Sequence, residues 1–195
     1  MENRILAAIK ARRSIRKYQE AQIPHETLHS ILEAATYAPS GSNSQSWLFT
    51  AIQDSAVLAE LNEVARKALA AMDLEEHPYP AKAAAKKNAA KEEYNFFYHA
   101  PTLVIVSNVA SYANAMADCA AALQNIFLAA HSFGLGSCWV NQLTWTSDDP
   151  ALRDFLYKLG IPKEHCLCGA AALGYIAGDI PVAPRRKEDT INLVL

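Results

Sequence analysis

Two groups of side chains in this sequence are of the right type and spacing to act on one ligand. The first is Arg12-Arg13-Ser14-Ile15-Arg16-Lys17, the densest cationic run in the chain. Arginine suits a phosphate because its planar fork binds bidentately and stays charged. The second is the loop Ala38-Pro39-Ser40-Gly41-Ser42-Asn43-Ser44-Gln45-Ser46-Trp47. Its small hydroxyl residues, side-chain amides and glycine can offer donors to a planar, polar-edged ligand without crowding. Alone, the arginine run reads as a solvated basic turn or an RNA patch. Taken with the loop and with the late Arg185-Arg186-Lys187, it points to the phosphate of a heterocyclic cofactor.

A third pattern competes. His25-Glu26-Thr27-Leu28-His29 satisfies H-E-x-x-H, which on a helix places two histidines one turn apart to hold zinc with the glutamate as base. Pro24, however, puts His25 in the first turn, no third ligand follows at metalloprotease spacing, and the pair flanks the apolar stripe of Leu28, Ile31 and Leu32. A solvated helix shoulder is the preferred reading, no metal is expected, and zinc hydrolysis stands as the distant alternative. The four cysteines, Cys119, Cys138, Cys166 and Cys168, form no CxxC pair and read as small buried hydrophobes of a reduced compartment. Cys138 alone merits a redox probe. Gly134-x-Gly136 lacks a third glycine and ends a helix rather than beginning one, so it is no dinucleotide fingerprint.

The elements that must position these groups follow from periodicity. Composition first sets the frame: 195 residues, 51% hydrophobic, with a formal charge of −2, suit one enzyme-sized domain with a substantial core. Near-neutral charge argues against a nucleic-acid partner. The absence of a leader-like or membrane-spanning apolar run makes a cytoplasmic protein, with no membrane partner, the expectation. A first helix is expected over about Asn3 to Arg12, delivering the arginines at its end. A second starts near Pro24 and ends at Pro39, opening the Ser/Asn/Gln loop. Trp47 to Ile52 reads as a strand, Asp54 to Met72 as a helix, and Ala81 to Glu93 as an exposed helix or a mobile segment. For the aromatics Tyr94, Phe96, Phe97, Tyr98 and His99, core packing is favoured over a ligand wall. Thr102 to Ser107 is the clearest strand. Tyr112 to Ser132 is apolar on nearly all sides and reads as a buried central post. Strands over Ser137 to Val140 and Cys166 to Tyr175 flank a helix over Asp148 to Leu159.

Arg-Arg-Ser-x-Arg from Arg12, Ala-Pro-Ser-x-x-Asn-x-Gln-x-Trp from Ala38, Gly-Leu-Gly-Ser-Cys-Trp from Gly134, and a late Gly174-Tyr175 with Pro184-Arg185-Arg186-Lys187 occur in that order. As a set, and over nearly the whole chain, they resemble the nitroreductase family of flavin-dependent oxidoreductases. The resemblance implies an α+β fold: a mostly antiparallel central sheet wrapped by helices, built as an intertwined homodimer with an FMN at each subunit interface. It implies one domain over residues 1–195, with a C-terminal arm from about residue 176 that reaches over the partner. Carried over residue by residue, Arg12 with Arg13 or Ser14 would touch the phosphate and ribityl groups. Arg16 would lie nearer the pyrimidine edge of the ring. Pro39, Ser40, Asn43 and Gln45 match the segment that the second subunit lays against the flavin. Trp139, Val140 and Asn141 match the turn beside N5 and O4, and Arg185, or else Arg186, the late phosphate-binding arginine. Asn95 is a weaker candidate for an amide contact.

Two departures stand out. Ser46 replaces the proline usual before the loop tryptophan, and the short segment after Ser107 moves the expected substrate cover to the region from Ala70 to Tyr98. The implied activity is hydride transfer from NADH or NADPH, bound transiently, through FMN to a small electron acceptor by a ping-pong mechanism. Nitroaromatic, quinone, enone and free flavin all remain open as acceptors, as do reductive dehalogenation and oxidative flavin breakdown. No catalytic side chain is required, because the flavin carries the hydride. An FMN reservoir or sensor with little turnover is the non-enzyme alternative.

Overall fold

The structure is a computed structural model and describes residues 3–194. Its centre is an antiparallel sheet of four strands, β1 (Leu48–Ile52), β2 (Thr102–Val109), β3 (Leu135–Val140) and β4 (His165–Tyr175), in the spatial order β1-β2-β4-β3. Side chains alternate along a strand, and β2 uses both faces. Leu103 and Ile105 pack with Leu58, Leu61, Phe96 and Leu156 on one side. Val104 and Val106 pack with Ile31, Leu123, Ile126 and Phe127 on the other. Burial on both faces explains why β2 reads as a continuous apolar run; each such side chain stabilises by about 1.5–3 kcal/mol.

The helices divide accordingly. α1 (Arg4–Ala11), α2 (His25–Thr36) and α5 (Ala115–Ser132) lie toward the second core, while α3 (Ser55–Ala71), α4 (Pro80–Ala89), the single turn α6 (Gln142–Trp145) and α7 (Pro150–Lys158) border the first. Side-chain caps set several starts. Asn3 Oδ1 accepts from Ile5 and Leu6 N–H, Asp54 from Ala56 and Val57, and Asp149 from Leu152, each satisfying donors the helix leaves free. Pro24 stands just before α2 at its N-cap.

One open alternative is resolved and two expectations are revised. The alanine- and lysine-rich stretch is a helix, α4, with Ala85 and Ala89 buried against the rest of the first core. α5 starts at Ala115, not Tyr112, and is buried on one side only: Met116 is 51% exposed, and Ala117 and Gln124 are also exposed. Gly134, at φ 72°, does end α5, but Gly136 lies within β3. A Cβ on Gly136 would stand 2.9 Å from Ile15 Cβ, so its bareness lets the arginine segment dock on the sheet edge.

Candidate functional site

The arginine segment is placed by both of its ends. Arg13 Nη1 donates to the carbonyls of Lys10 and Arg12 at 2.7 Å, capping the C-terminus of α1 with a cation where the helix dipole favours one. The chain then runs beside β3: Ser14 bridges Ser137, and Ile15 N–H donates to Ser137 O at 2.9 Å. Arg12 lies over the Phe127 ring at 5.8 Å, and Trp139 packs against the same ring at 5.9 Å. Arg16 reaches the Tyr98 ring at 5.6 Å.

Arg16 opens on a cavity of about 300 Å³ lined also by Tyr79, Asn88, Tyr94, Tyr98, Trp139, Asn141, Gln142 and Trp145. Among the described residues lining it, Arg16 is the only charged one. The other walls are aromatic faces and side-chain amides, with Ala81, Ala84 and Ala85 of α4 between them, a make-up that suits a flat ring with polar edges. Polar contacts hold these walls in register. Trp139 Nε1–H donates to Asn141 Oδ1 at 2.5 Å, Asn141 N–H to Gln142 Oε1 at 3.1 Å, and Gln142 Nε2 to the Tyr94 hydroxyl at 3.4 Å. Tyr79 meets Trp145 edge-on at 6.4 Å. Tyr98 holds the Arg16 guanidinium still further into its charged form, and burial pushes the Tyr94 phenol up, with Gln142 drawing it back.

A second groove, of about 390 Å³, runs from Ser14 to Lys17 on one wall and Ala177 to Pro181 on the other, so Arg16 belongs to both spaces. Ser137 Oγ, buried beside Ser14, has no hydrogen-bond partner among the described residues. Cations, an unspent buried hydroxyl and a flat-walled cavity thus lie side by side, which fits a phosphorylated ring.

The loop is elsewhere. Its single 3-10 turn, Gly41–Asn43, is tied to Asp118 at the start of α5, whereas Arg12 and Trp139 meet α5 at Phe127. Nine helical residues separate those anchors, roughly 14 Å along the axis at 1.5 Å per residue. One chain therefore brings together Arg12, Ser14, Arg16, Trp139 and Asn141, and holds Pro39, Ser40, Asn43 and Gln45 apart from them. Val140 is buried, leaving its backbone as the part able to face a ligand. Arg185 and Arg186 stand on an exposed tail, where Arg185 pairs with Glu188.

The chain matches the family model described as "Nitroreductase family" over residues 9–175. The chain belongs to the nitroreductase family. Within it, a nitroreductase with bound FMN from Bacteroides fragilis superposes with a TM-score of 0.91 at 45% identity, covering 99% of this chain and 100% of that one. A Methanothermobacter thermautotrophicus protein with the provisional name NADH dehydrogenase/NAD(P)H nitroreductase is 35% identical over 97% of this chain and 86% of its own length. A 4-nitrobenzoate reductase of a Nocardioides species is 30% identical over 91% of this chain and 82% of its own. The α+β architecture expected from the resemblance is the nitroreductase fold.

Several cavity residues escaped sequence reading. Asn88 lies in the alanine-rich stretch, Gln142 and Trp145 on α6, and none carries a motif signal. The aromatic cluster splits: Phe96 and Phe97 are core, while Tyr94 and Tyr98 wall the cavity. Asn95 is spent on structure, its Oδ1 accepting from Phe97 and His99 N–H. His25 and His29 are exposed on α2, and among the described residues no group of three or more His, Cys, Asp or Glu is placed to hold a metal ion. Cys138 is 2% exposed and packs in the first core, where burial pushes its thiol up against the opposing pull of Arg16 and Arg12.

Proposed function

We propose that this chain is an FMN-dependent oxidoreductase that works as an intertwined homodimer, passing hydride from NADH or NADPH to a small acceptor such as a nitroaromatic or quinone by a ping-pong mechanism. The observation that carries the reading is the placement of Arg16, the lone charge among the described lining residues of an aromatic- and amide-bearing cavity, where it also lines the neighbouring Ser14 groove. The Bacteroides fragilis relative, which binds FMN, supports the choice of ring.

When bound, FMN supplies the hydride-accepting and hydride-donating chemistry. The chain's own groups do the rest. Arg12 and Ser14 are disposed to hold phosphate and ribityl oxygens, and Arg13 keeps the donors that α1 does not use. The permanently charged guanidinium of Arg16 would favour negative charge on a ring held in the cavity it lines. Trp139 and Asn141, locked to each other, would border a bound ring on their side of the cavity. Tyr79, Asn88 and Tyr98, from the region expected to provide the cover, line the cavity and would shield a bound ring from water.

Unpartnered apolar surface supports the dimer. On α1, Ile5 is 69% exposed, Leu6 52% and Ile9 46%, and Tyr37 at the end of α2 is 79% exposed. The tail after Gly178 adds Ile180, Val182, Ile191, Leu193 and Val194. A second copy covering these faces brings its 40–45 loop to the first copy's arginines and gives the tail, with Arg185 or Arg186, a body to lie on. Anaerobic rapid mixing of the FMN-loaded protein with NADH and with NADPH tests the activity. Bleaching of the flavin band by at least one of them, followed by recovery on adding a quinone or nitroaromatic, is expected. A band that survives both reductants contradicts the oxidoreductase and favours a flavin store.

A further inference from the structure

The loop from Ser40 to Gln45 is open to solvent, yet its backbone is held where side chains rarely go. Ser42, Asn43 and Gln45 have φ of 52°, 55° and 46°, and none is a glycine. Residues in that left-handed region persist only where the surroundings impose it, and they cluster at ligand clamps. The restraint comes from below. Asp118, in the first turn of α5 and 6% exposed, accepts from Gly41 N–H with both oxygens, at 3.1 and 3.3 Å. The Tyr112 hydroxyl lies 2.9 Å from Asp118 Oδ2 and 3.1 Å from Gly41 O, so its one proton serves either. A Cβ on Gly41 would stand 2.4 Å from Asn114 Nδ2 and 2.5 Å from that hydroxyl, so a side chain here would have to displace Asn114 or the Tyr112 hydroxyl that braces the turn. Above this foundation Ser40 Oγ accepts from Gln45 N–H at 3.2 Å, and Gln45 Nε2 donates to Asn43 Oδ1 at 2.9 Å. The loop is fixed underneath, strained at its tip and open on top.

The geometry points to Asp118 as a positioning residue: with Tyr112 it seats Gly41 and so presets the 40–45 loop in the shape that receives the partner subunit's flavin. The inference rests on the FMN reading above. A nearly buried carboxylate whose partners are Gly41 and the tyrosine that braces it does more than fill a core. It places the loop's ordering cost in the folding of the chain instead of in ligand binding, which is how preorganisation raises affinity.

Flavin-fluorescence titration of the apoprotein tests this with the wild type, Asp118→Ala, Asp118→Asn and Tyr112→Phe. Far-UV circular dichroism, solution mass and apoprotein melting are followed on the same samples. Asp118→Ala is expected to weaken FMN binding about tenfold or more, the effect of one hydrogen bond to a charged group, with helix content and mass retained. Its visible circular dichroism of the bound flavin should change as well. Asp118→Asn keeps an oxygen for Gly41 and is expected to recover most of the affinity, with Tyr112→Phe in between. Wild-type affinity and an unaltered flavin spectrum in Asp118→Ala, with only a lower melting temperature, would overturn the inference and leave Asp118 a plain structural residue. If Asp118→Ala does not fold, Tyr112→Phe decides, and unchanged affinity there overturns it. A wild type that takes up no FMN removes the functional reading and this inference together; normal wild-type binding with indifferent variants removes this inference alone.

Discussion

Arg16 illustrates how much rests on single residues here. Its guanidinium sits at the junction of cavity and groove, with Tyr98 over it, and no second cation among the lining residues can replace it in the cavity. Arg16→Ala is expected to weaken FMN binding, or to slow flavin reduction, by about tenfold or more, as loss of a charge-assisted contact does. Arg16→Lys should fall between, because it keeps the charge and loses the planar fork. An unaltered flavoprotein in the alanine variant would take Arg16 out of the site. Cys138 carries the opposite expectation. Buried, with its thiol pushed up, it should resist alkylation by iodoacetamide in the native protein at neutral pH and react once urea unfolds the chain. Mass spectrometry of labelled peptides checks this. His165 gives the pH dependence. Burial lowers its folded pKa below the ordinary 6.5, with Glu164 opposing, so between those two values the unfolded chain binds the extra proton. Its contribution to stability is therefore complete above the ordinary value and is lost as the pH falls through it. Melting temperatures should drop from about pH 7.5 to about pH 5.5, and His165→Gln should flatten that drop.

At the scale of elements, the parts most legible in the sequence are those with a local physical signature. Asn3, Asp54 and Asp149 cap their helices as acceptors for free N–H groups, and β2 is apolar because both of its faces are covered. α4 was ambiguous because small alanines can pack closely without large apolar residues to announce it. It is secured by contacts no local pattern reveals: Lys86 Nζ donates to Met72 O, and Arg66 Nη1 to Ala89 O. α6 is a single turn with no period to detect, and with it went Gln142 and Trp145. The breadth of apolar surface on α5 is real but does not mean burial all round in one chain. Phe127 and Ile126 face the sheet, and Met116 faces outward, in keeping with two different coverings. The contact between β3 and the arginine segment yields a prediction at this scale. Gly136→Val should cost about 1–3 kcal/mol in urea unfolding, as overpacking against Ile15 does, and should weaken FMN binding by shifting Ser14 and Arg16. Wild-type stability in that variant would show that the crossing is loose.

For the whole molecule, both halves of the expected flavin site were legible as residues, while their expected meeting across two subunits came only from the family resemblance, because no local pattern in one chain encodes a contact with a second copy. A single chain keeps Gly41 and Arg12 on anchors nine residues apart along α5 and leaves the stripe of Ile5, Leu6 and Ile9 uncovered. Solution mass should accordingly be twice the 21.3 kDa of one chain. The most direct measurement is FMN titration of a mixture of two defective chains, one carrying Arg16→Ala and the other Asn43→Ala with Gln45→Ala, unfolded together and refolded. If each site takes its arginines from one subunit and its loop from the other, every mixed dimer regains one intact site. Binding of wild-type affinity then returns in about a quarter of the sites, as random pairing with two-fold closure dictates. If the mixture binds no better than either chain refolded alone, the site does not span two subunits, and the account is contradicted at its centre.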